Sequence, residues 1–205
     1  MEIRKVGVVG CGLMGSGITE VCARAGYDVI TQEINDEFLE RGLGRVRKSL
    51  TKAVERGKAT QEEMEAALTR IVGTIDIADL ADCDLIIEAI IENMDEKKKV
   101  FVKLDELCPS HTIIASNTSS LCITELAAAT GRGDKVLGMH FFNPVPVMRL
   151  LELVRTILTS EETMATAQEF GQSLGKTTIV AKDRPGFIVN LLLVPFLLDA
   201  VRALE

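Results

Sequence analysis

Two side chains that could share a proton lie in the stretch GMHFFNPVPVMRLLELVR, residues 138–155. His140 is one of only two histidines among the 205 residues, and Glu152 is the first acidic residue after it. A histidine exchanges protons near neutral pH, and a carboxylate bonded to its second ring nitrogen fixes the tautomer. The surrounding residues are apolar, so a core histidine bonded to a backbone carbonyl is the alternative. The stretch alone leaves both interpretations open.

A glycine-rich loop separates a predicted strand from a predicted helix. The loop consists of Gly10, Cys11, Gly12, Leu13, Met14 and Gly15. Glycines permit a tight turn and a close backbone approach to a pyrophosphate, which the helix N-terminus then faces. Glu33 ends the second predicted strand, at the spacing where an acidic residue meets the adenine ribose. Its carboxylate would repel a 2′-phosphate, so the pattern favours NAD over NADP. A turn that binds nothing is the alternative.

The elements that must position these residues alternate along the chain. Strands are predicted at 5–10, 27–33, 84–90, 112–116 and 135–142, and helices at 14–26, 36–56, 60–70 and 95–107. Apolar strands separated by helices predict an α/β fold with a doubly wound, mostly parallel, Rossmann-type sheet. Ligands bind such sheets at the carboxyl ends of the strands. The polar segment SNTSSL, residues 116–121, follows one strand there, although it could simply cap a helix that begins near Ile123.

Composition restricts the class of protein. The chain has 47% hydrophobic and 26% charged residues and a net charge of −7. This balance predicts a soluble globular protein with no general attraction to nucleic acid or to a membrane. Five cysteines without CxxC spacing favour neither a metal site nor disulfides, so a reducing cytoplasm is predicted. The first residues, MEIRKVGVVGCG, have no pattern of a secretory signal.

Four stretches, GVVGCGLMGSGI, SNTSSL, GMHFFNPVPVM and KDRPGFIVN, occur in this order along the chain. Together they resemble the 3-hydroxyacyl-CoA dehydrogenases, most closely the bacterial 3-hydroxybutyryl-CoA dehydrogenases, over residues 3–205. The resemblance implies NAD-dependent interconversion of L-3-hydroxyacyl-CoA and 3-oxoacyl-CoA, with acetoacetyl-CoA and 3-hydroxybutyryl-CoA as substrates, in fatty acid and butyrate metabolism. Another β-hydroxyacid dehydrogenase, or a truncated or noncatalytic NAD-binding relative, is the alternative.

The resemblance also implies roles for the polar residues near the predicted crevice. His140 is the expected acid and base, and Glu152 is its partner. Ser119 is expected to bond the substrate oxygen and to contact the nicotinamide end, and Asn190 to orient the substrate. Asn190 could instead be a helix residue that faces solvent. The remaining expected cofactor contacts are Glu92 and Lys97 near the ribose, Asn117 in the loop of Ser119, and Asn143 beside the nicotinamide.

Three cations recur every four residues on the predicted helix 36–56 and therefore share one face. They are Lys48, Lys52 and Arg56. Ammonium and guanidinium groups bind phosphates, so this face is a candidate clamp for the phosphates of an acyl-CoA. The resemblance places the helix along the CoA tail. An ordinary solvated helix face is the alternative.

Two domains are predicted. Residues 1–182 form the NAD-binding domain, and residues 183–205 form the first helix of an all-helical C-terminal domain that is otherwise absent from the sequence. The resemblance implies a dimer or another homo-oligomer through this helical region. Leu191 stands where the family usually has arginine. A chain that ends at Glu205 fits an N-terminal fragment, an incomplete product and a natural short form equally well.

Overall fold

The computed structural model describes residues 2–204, so Met1 and Glu205, the outer limits of the predicted domains, lie outside the described residues. Its strands are β1 (Lys5–Val9), β2 (Asp28–Gln32), β3 (Ile71–Thr74), β4 (Leu85–Glu88), β5 (Ile113–Ser116), β6 (Val136–Phe141), β7 (Leu150–Arg155) and β8 (Thr177–Lys182). Within the described chain they form one sheet in the order β3-β2-β1-β4-β5-β6-β7-β8. The order reverses beside β1, where β2 and β4 flank it, as in a doubly wound sheet.

Strand direction confirms the prediction of a mostly parallel sheet. The strands from β3 through β6 pair in parallel, β7 runs antiparallel to β6, and β8 is parallel to β7. Three strands, β3, β7 and β8, were not predicted. The stretch that forms β7, LLELVR, carries no clear alternation of apolar and polar residues, so its periodicity does not distinguish a strand from a helix.

Helices cover both faces of the sheet. They are α1 (Leu13–Arg24), α2 (Asp36–Glu55), α3 (Gln61–Thr69), α4 (Met94–Leu107), α5 (Ile123–Ala128), α6 (Glu161–Ser173) and α7 (Val189–Arg202). Successive strand residues point to opposite faces. Accordingly, Leu85 and Ile87 pack in the core cluster with α1, α2 and α6, whereas Ile86 packs with α4 and α5. The four predicted helices are present, and no bound differs from the prediction by more than two residues.

Helix α7 differs from the other helices in its exposure. None of its residues is buried, and Leu192 and Phe196 are 68% and 69% exposed. Its sequence, VNLLLVPFLLDAVR, is apolar on all sides and includes Pro195. That α7 begins a helical domain stays a prediction. Among residues 2–204, no helix combines the length and apolarity that a membrane span requires.

Candidate active site

The glycine loop joins β1 to α1 in a shape that fits a pyrophosphate. Gly10 has a φ of +90°, and a Cβ on Gly15 would lie 1.7 Å from the carbonyl oxygen of Gly10. Gly12 precedes α1 without a capping side chain, and a Cβ there would meet nothing within 4 Å. The first amides of a helix have no partner inside it. Such amides can bind a phosphate.

Glu33 lies beside this loop. Its Oε1 accepts a hydrogen bond from the amide of Cys11 at 2.7 Å, and its Oε2 accepts one from the amide of Ile34 at 3.1 Å. The carboxylate is thus fixed where β2 ends, one strand away from the glycine loop that follows β1. This is the arrangement in which an acidic residue can accept hydrogen bonds from a ribose.

His140 and Glu152 face each other across β6 and β7. The antiparallel register pairs the two residues directly, and His140 Nδ1 lies 2.6 Å from Glu152 Oε2. His140 is 6% exposed and Glu152 is fully buried. A buried carboxylate needs hydrogen-bond partners, and here it finds one in the imidazole. With Nδ1 facing the carboxylate, Nε2 is the ring nitrogen left for a ligand.

A cavity of about 380 Å³ brings eight of the predicted site residues together. Its wall includes Met14, Glu92, Lys97, Asn117, Ser119, His140, Asn143 and Asn190. Asn117 Oδ1 accepts a hydrogen bond from the amide of Phe141 at 2.9 Å, which ties the loop after β5 to the end of β6. Asn190 enters from the first turn of α7. Residues from seven parts of the sequence therefore converge on one cavity at the carboxyl edge of the sheet.

Lys97 is 1% exposed, so it does not belong to a solvated helix face. Its Nζ lies 2.6 Å from Glu88 Oε1 and 3.4 Å from Glu92 Oε2. Burial raises the pKa of Glu92, but the hydrogen bond from Thr118 and the charge of Lys97 outweigh it, so the pKa is lowered overall. Glu92 therefore remains ionised at neutral pH at the rim of the cavity.

Glu88 was not predicted from the sequence as a residue of the site. It is fully buried at the end of β4, where Oε1 accepts hydrogen bonds from Lys97 and from the amide of Ile90, and Oε2 accepts one from Ser116. The carboxylate thus joins α4 to the ends of β4 and β5, and two of its partners, Ile90 and Lys97, line the cavity. A single acid within the apolar run LIIEAII, residues 85–91, was the available signal.

The predicted cation face divides between two cavities. Lys52 and Arg56 line a cavity of about 630 Å³, together with Lys58. Lys48 lines a smaller cavity of about 270 Å³ whose wall also includes Lys52 and Asn143. The structure thus does not bring all three predicted cations into one cavity. Lys52 belongs to both walls, and the smaller cavity extends from the cations towards the loop after His140.

Comparison with known proteins decides the family. Residues 5–184 match the family model described as 3-hydroxyacyl-CoA dehydrogenase, NAD binding domain. The chain belongs to the 3-hydroxyacyl-CoA dehydrogenase family. The predicted resemblance and the predicted cofactor, NAD, are thereby confirmed. Within residues 2–204 of this dehydrogenase, no group of three His, Cys, Asp or Glu side chains is arranged to hold a metal ion.

Relatives of this dehydrogenase match almost the whole chain. This chain is 45% identical over 201 residues to the probable 3-hydroxybutyryl-CoA dehydrogenase of Bacillus subtilis (strain 168), and the aligned residues cover 98% of this chain and 70% of the relative. It is 48% identical over 205 residues to the 3-hydroxybutyryl-CoA dehydrogenase of Mycobacterium tuberculosis (strain CDC 1551 / Oshkosh), with 99% and 72% covered. The crystal structure of (S)-3-hydroxybutyryl-CoA dehydrogenase from Ralstonia eutropha has a TM-score of 0.95 and 44% identity, with 97% and 70% covered.

Proposed function

We propose that this dehydrogenase interconverts L-3-hydroxyacyl-CoA and 3-oxoacyl-CoA with NAD, and that acetoacetyl-CoA and 3-hydroxybutyryl-CoA are its substrates. The observation that supports the reaction most strongly is the 2.6 Å contact between His140 Nδ1 and Glu152 Oε2, with His140 in the wall of the cavity. The names of the relatives support the substrate class. Consumption of NADH with acetoacetyl-CoA by the purified chain tests the proposal.

In the proposed mechanism, His140 transfers the proton of the substrate hydroxyl. Bound NAD supplies the acceptor for the hydride that leaves the alcohol carbon. His140 Nε2 takes the hydroxyl proton in oxidation and returns it in reduction. Glu152 accepts from Nδ1, which fixes the tautomer and stabilises the imidazolium. The Ser119 hydroxyl donates to the same substrate oxygen, and the Asn190 amide orients the acyl group.

The remaining residues around the cavity are proposed to bind the cofactor. The loop of Gly10, Gly12 and Gly15, with Leu13 and Met14 opening α1, would hold the pyrophosphate through backbone amides. Glu33 would accept from the adenine ribose. Glu92, Lys97, Asn117 and Asn143 would contact the nicotinamide half. The position of Met14, Glu92, Lys97, Asn117 and Asn143 in the wall of one cavity supports this division.

Cofactor selectivity follows from Glu33. We expect the chain to bind NADH at least tenfold more tightly than NADPH, about 1.4 kcal/mol, because the fixed carboxylate repels a 2′-phosphate. Glu33→Gln should narrow the difference, and Glu37→Gln, an exposed acid on α2, should leave it unchanged. Titrations that follow the fluorescence of NADH and of NADPH measure the two dissociation constants. Equal affinity of the unaltered chain for the two nucleotides would contradict the role of Glu33.

Lys52 and Arg56 are proposed to bind the CoA phosphates, with Lys48 on the path towards His140. In the larger cavity, Lys52 and Arg56 share the wall with three further cations, so several positive charges line it. The three are Lys58, Arg24 and Arg149. An acyl-CoA carries several negative charges, and the chain carries a net charge of −7. A local group of cations is therefore needed to attract such a substrate.

Substitution of Lys52 tests this clamp. We expect Lys52→Ala to raise the KM for acetoacetyl-CoA about threefold to fivefold at low salt, the size typical of exposed ion pairs. The increase should fade as salt screens the charges. Arg47→Ala is the matched control, because Arg47 lies on the same helix and lines neither cavity. Equal effects of both substitutions would assign the change to general charge rather than to a clamp.

Self-association through α7 and location in the cytoplasm stay proposals. The exposed apolar side chains of α7 support the first, because large apolar patches usually meet a partner.

A further inference from the structure

Glu152 has a second set of partners that the proposed mechanism does not use. Its Oε1 accepts hydrogen bonds from the amide of Ile188 at 3.0 Å and from the amide of Val189 at 2.9 Å. These amides belong to the start of α7, where helix amides have no partner within the helix. One carboxylate therefore bonds His140 through Oε2 and caps α7 through Oε1.

The turn that brings these amides to Glu152 has an unusual backbone. Gly186 has a φ of 79° and Phe187 has a φ of 49°. Positive φ is ordinary for glycine but costly for a phenylalanine, and it persists only where the surroundings hold it. Phe187 is fully buried in the core cluster that includes α4 and α5. The burial of Phe187 therefore holds the turn in this costly conformation.

The ring of Phe187 also reaches His140. The two ring centroids lie 5.5 Å apart, and the edge of one ring faces the other at 63°. Phe142 contacts the same imidazole at 4.5 Å. Aromatic pairs at these separations restrict one another's orientation. Phe187 therefore contacts the imidazole directly through its ring and controls the carboxylate through its backbone.

We propose that Phe187 is a positioning residue for the His140–Glu152 pair, because its left-handed turn directs two α7 amides onto Glu152 while its ring packs against His140. The proposal rests on the proposed function, in which this pair moves the substrate proton. It makes the start of α7 part of the active site. A displacement of α7 would remove two hydrogen bonds from Glu152 and loosen its contact with the imidazole.

Histidine NMR tests the proposal on the intact chain. His140 and His111 are the only histidines, so a His111→Gln sample assigns the signals. In the unaltered chain we expect the Nδ1 proton of His140 to be protected from solvent exchange. Phe187→Ala, which removes the buried ring that holds the turn, should accelerate this exchange at least tenfold. Phe196→Ala, in the exposed part of α7, should change it less than twofold.

A second variant keeps the test usable if Phe187→Ala does not fold. Glycine adopts positive φ without strain, so Phe187→Gly should retain slow exchange at the amides of Ile188 and Val189 while the His140 proton exchanges at least tenfold faster. The kcat for acetoacetyl-CoA should fall at least tenfold, with the KM for NADH changed less than twofold. If Phe187 had only a structural role, Phe187→Gly would change neither the exchange rate of the His140 proton nor the kcat relative to the KM for NADH.

The outcomes separate the two proposals. An unprotected Nδ1 proton in the unaltered chain would contradict the proposed role of the His140–Glu152 pair, whatever Phe187 does. A protected proton that stays equally protected in Phe187→Gly, with unchanged kcat, would overturn the positioning role of Phe187 and leave the proposed function intact.

Discussion

Replacing His140 with glutamine should lower the turnover of acetoacetyl-CoA about 100-fold or more. General acid–base groups contribute factors of roughly 10² to 10⁴, and glutamine can neither take nor return the proton. NADH affinity should change less than twofold, because the glycine loop and Glu33 bind the other end of the cofactor. Steady-state kinetics and NADH titration on the same samples measure both quantities.

His111→Gln is the matched control for this substitution. The His111 side chain is 53% exposed and lies near Asp84, away from the cavity. We expect its turnover to stay within twofold of the unaltered chain. Glu152→Gln should lower turnover in the same direction as His140→Gln, because an amide does not stabilise the imidazolium. Normal turnover in His140→Gln would favour the alternative interpretation, a core histidine without a role in catalysis.

Glu88→Gln should lower the free energy of unfolding by about 3 kcal/mol, because removing one partner leaves the buried Lys97 charge without its main counterion. Glu88 and Lys97 are 0% and 1% exposed, and their charged atoms lie 2.6 Å apart. The second acid near Lys97, Glu92, is farther away at 3.4 Å. Urea denaturation measures the difference in unfolding free energy, and the slope of this free energy against urea concentration should be the same for both proteins.

Glu96→Gln is the control for Glu88→Gln. Glu96 and Lys99 are also 2.6 Å apart, but both side chains are exposed on α4. Exposed pairs stabilise proteins by about 0–1 kcal/mol, so this substitution should change the unfolding free energy by less than about 1 kcal/mol. Similar losses for Glu88→Gln and Glu96→Gln would contradict the assignment of Glu88 as a buried counterion.

Patterns that are local in the sequence predicted the fold well. The glycine loop, the first βαβ unit and the long helix α2 could be identified because turn residues and periodicity lie within a few residues of one another. The strand β7 could not, since LLELVR is stabilised by pairing with β6 and β8 rather than by its own pattern. Its register is what brings Glu152 opposite His140.

The site was predictable only in part for the same reason. The family motifs indicated His140, Glu152 and Asn190, and these residues do lie close together. Glu88 was missed because its partners, Lys97 and Ser116, come from other elements. The bonds from the start of α7 to Glu152 connect residues 36 and 37 positions apart. No spacing rule indicates such contacts, so they had to be found in the structure.

Transfer of deuterium tests the central claim most directly. The chain, in excess over acetoacetyl-CoA, is mixed with NADH that carries deuterium at both C4 positions, and the acyl-CoA product is analysed by mass spectrometry and NMR. We expect 3-hydroxybutyryl-CoA with one deuterium at C3, formed much more slowly by His140→Gln. Bound NADH and acetoacetyl-CoA that yield no labelled product would contradict it.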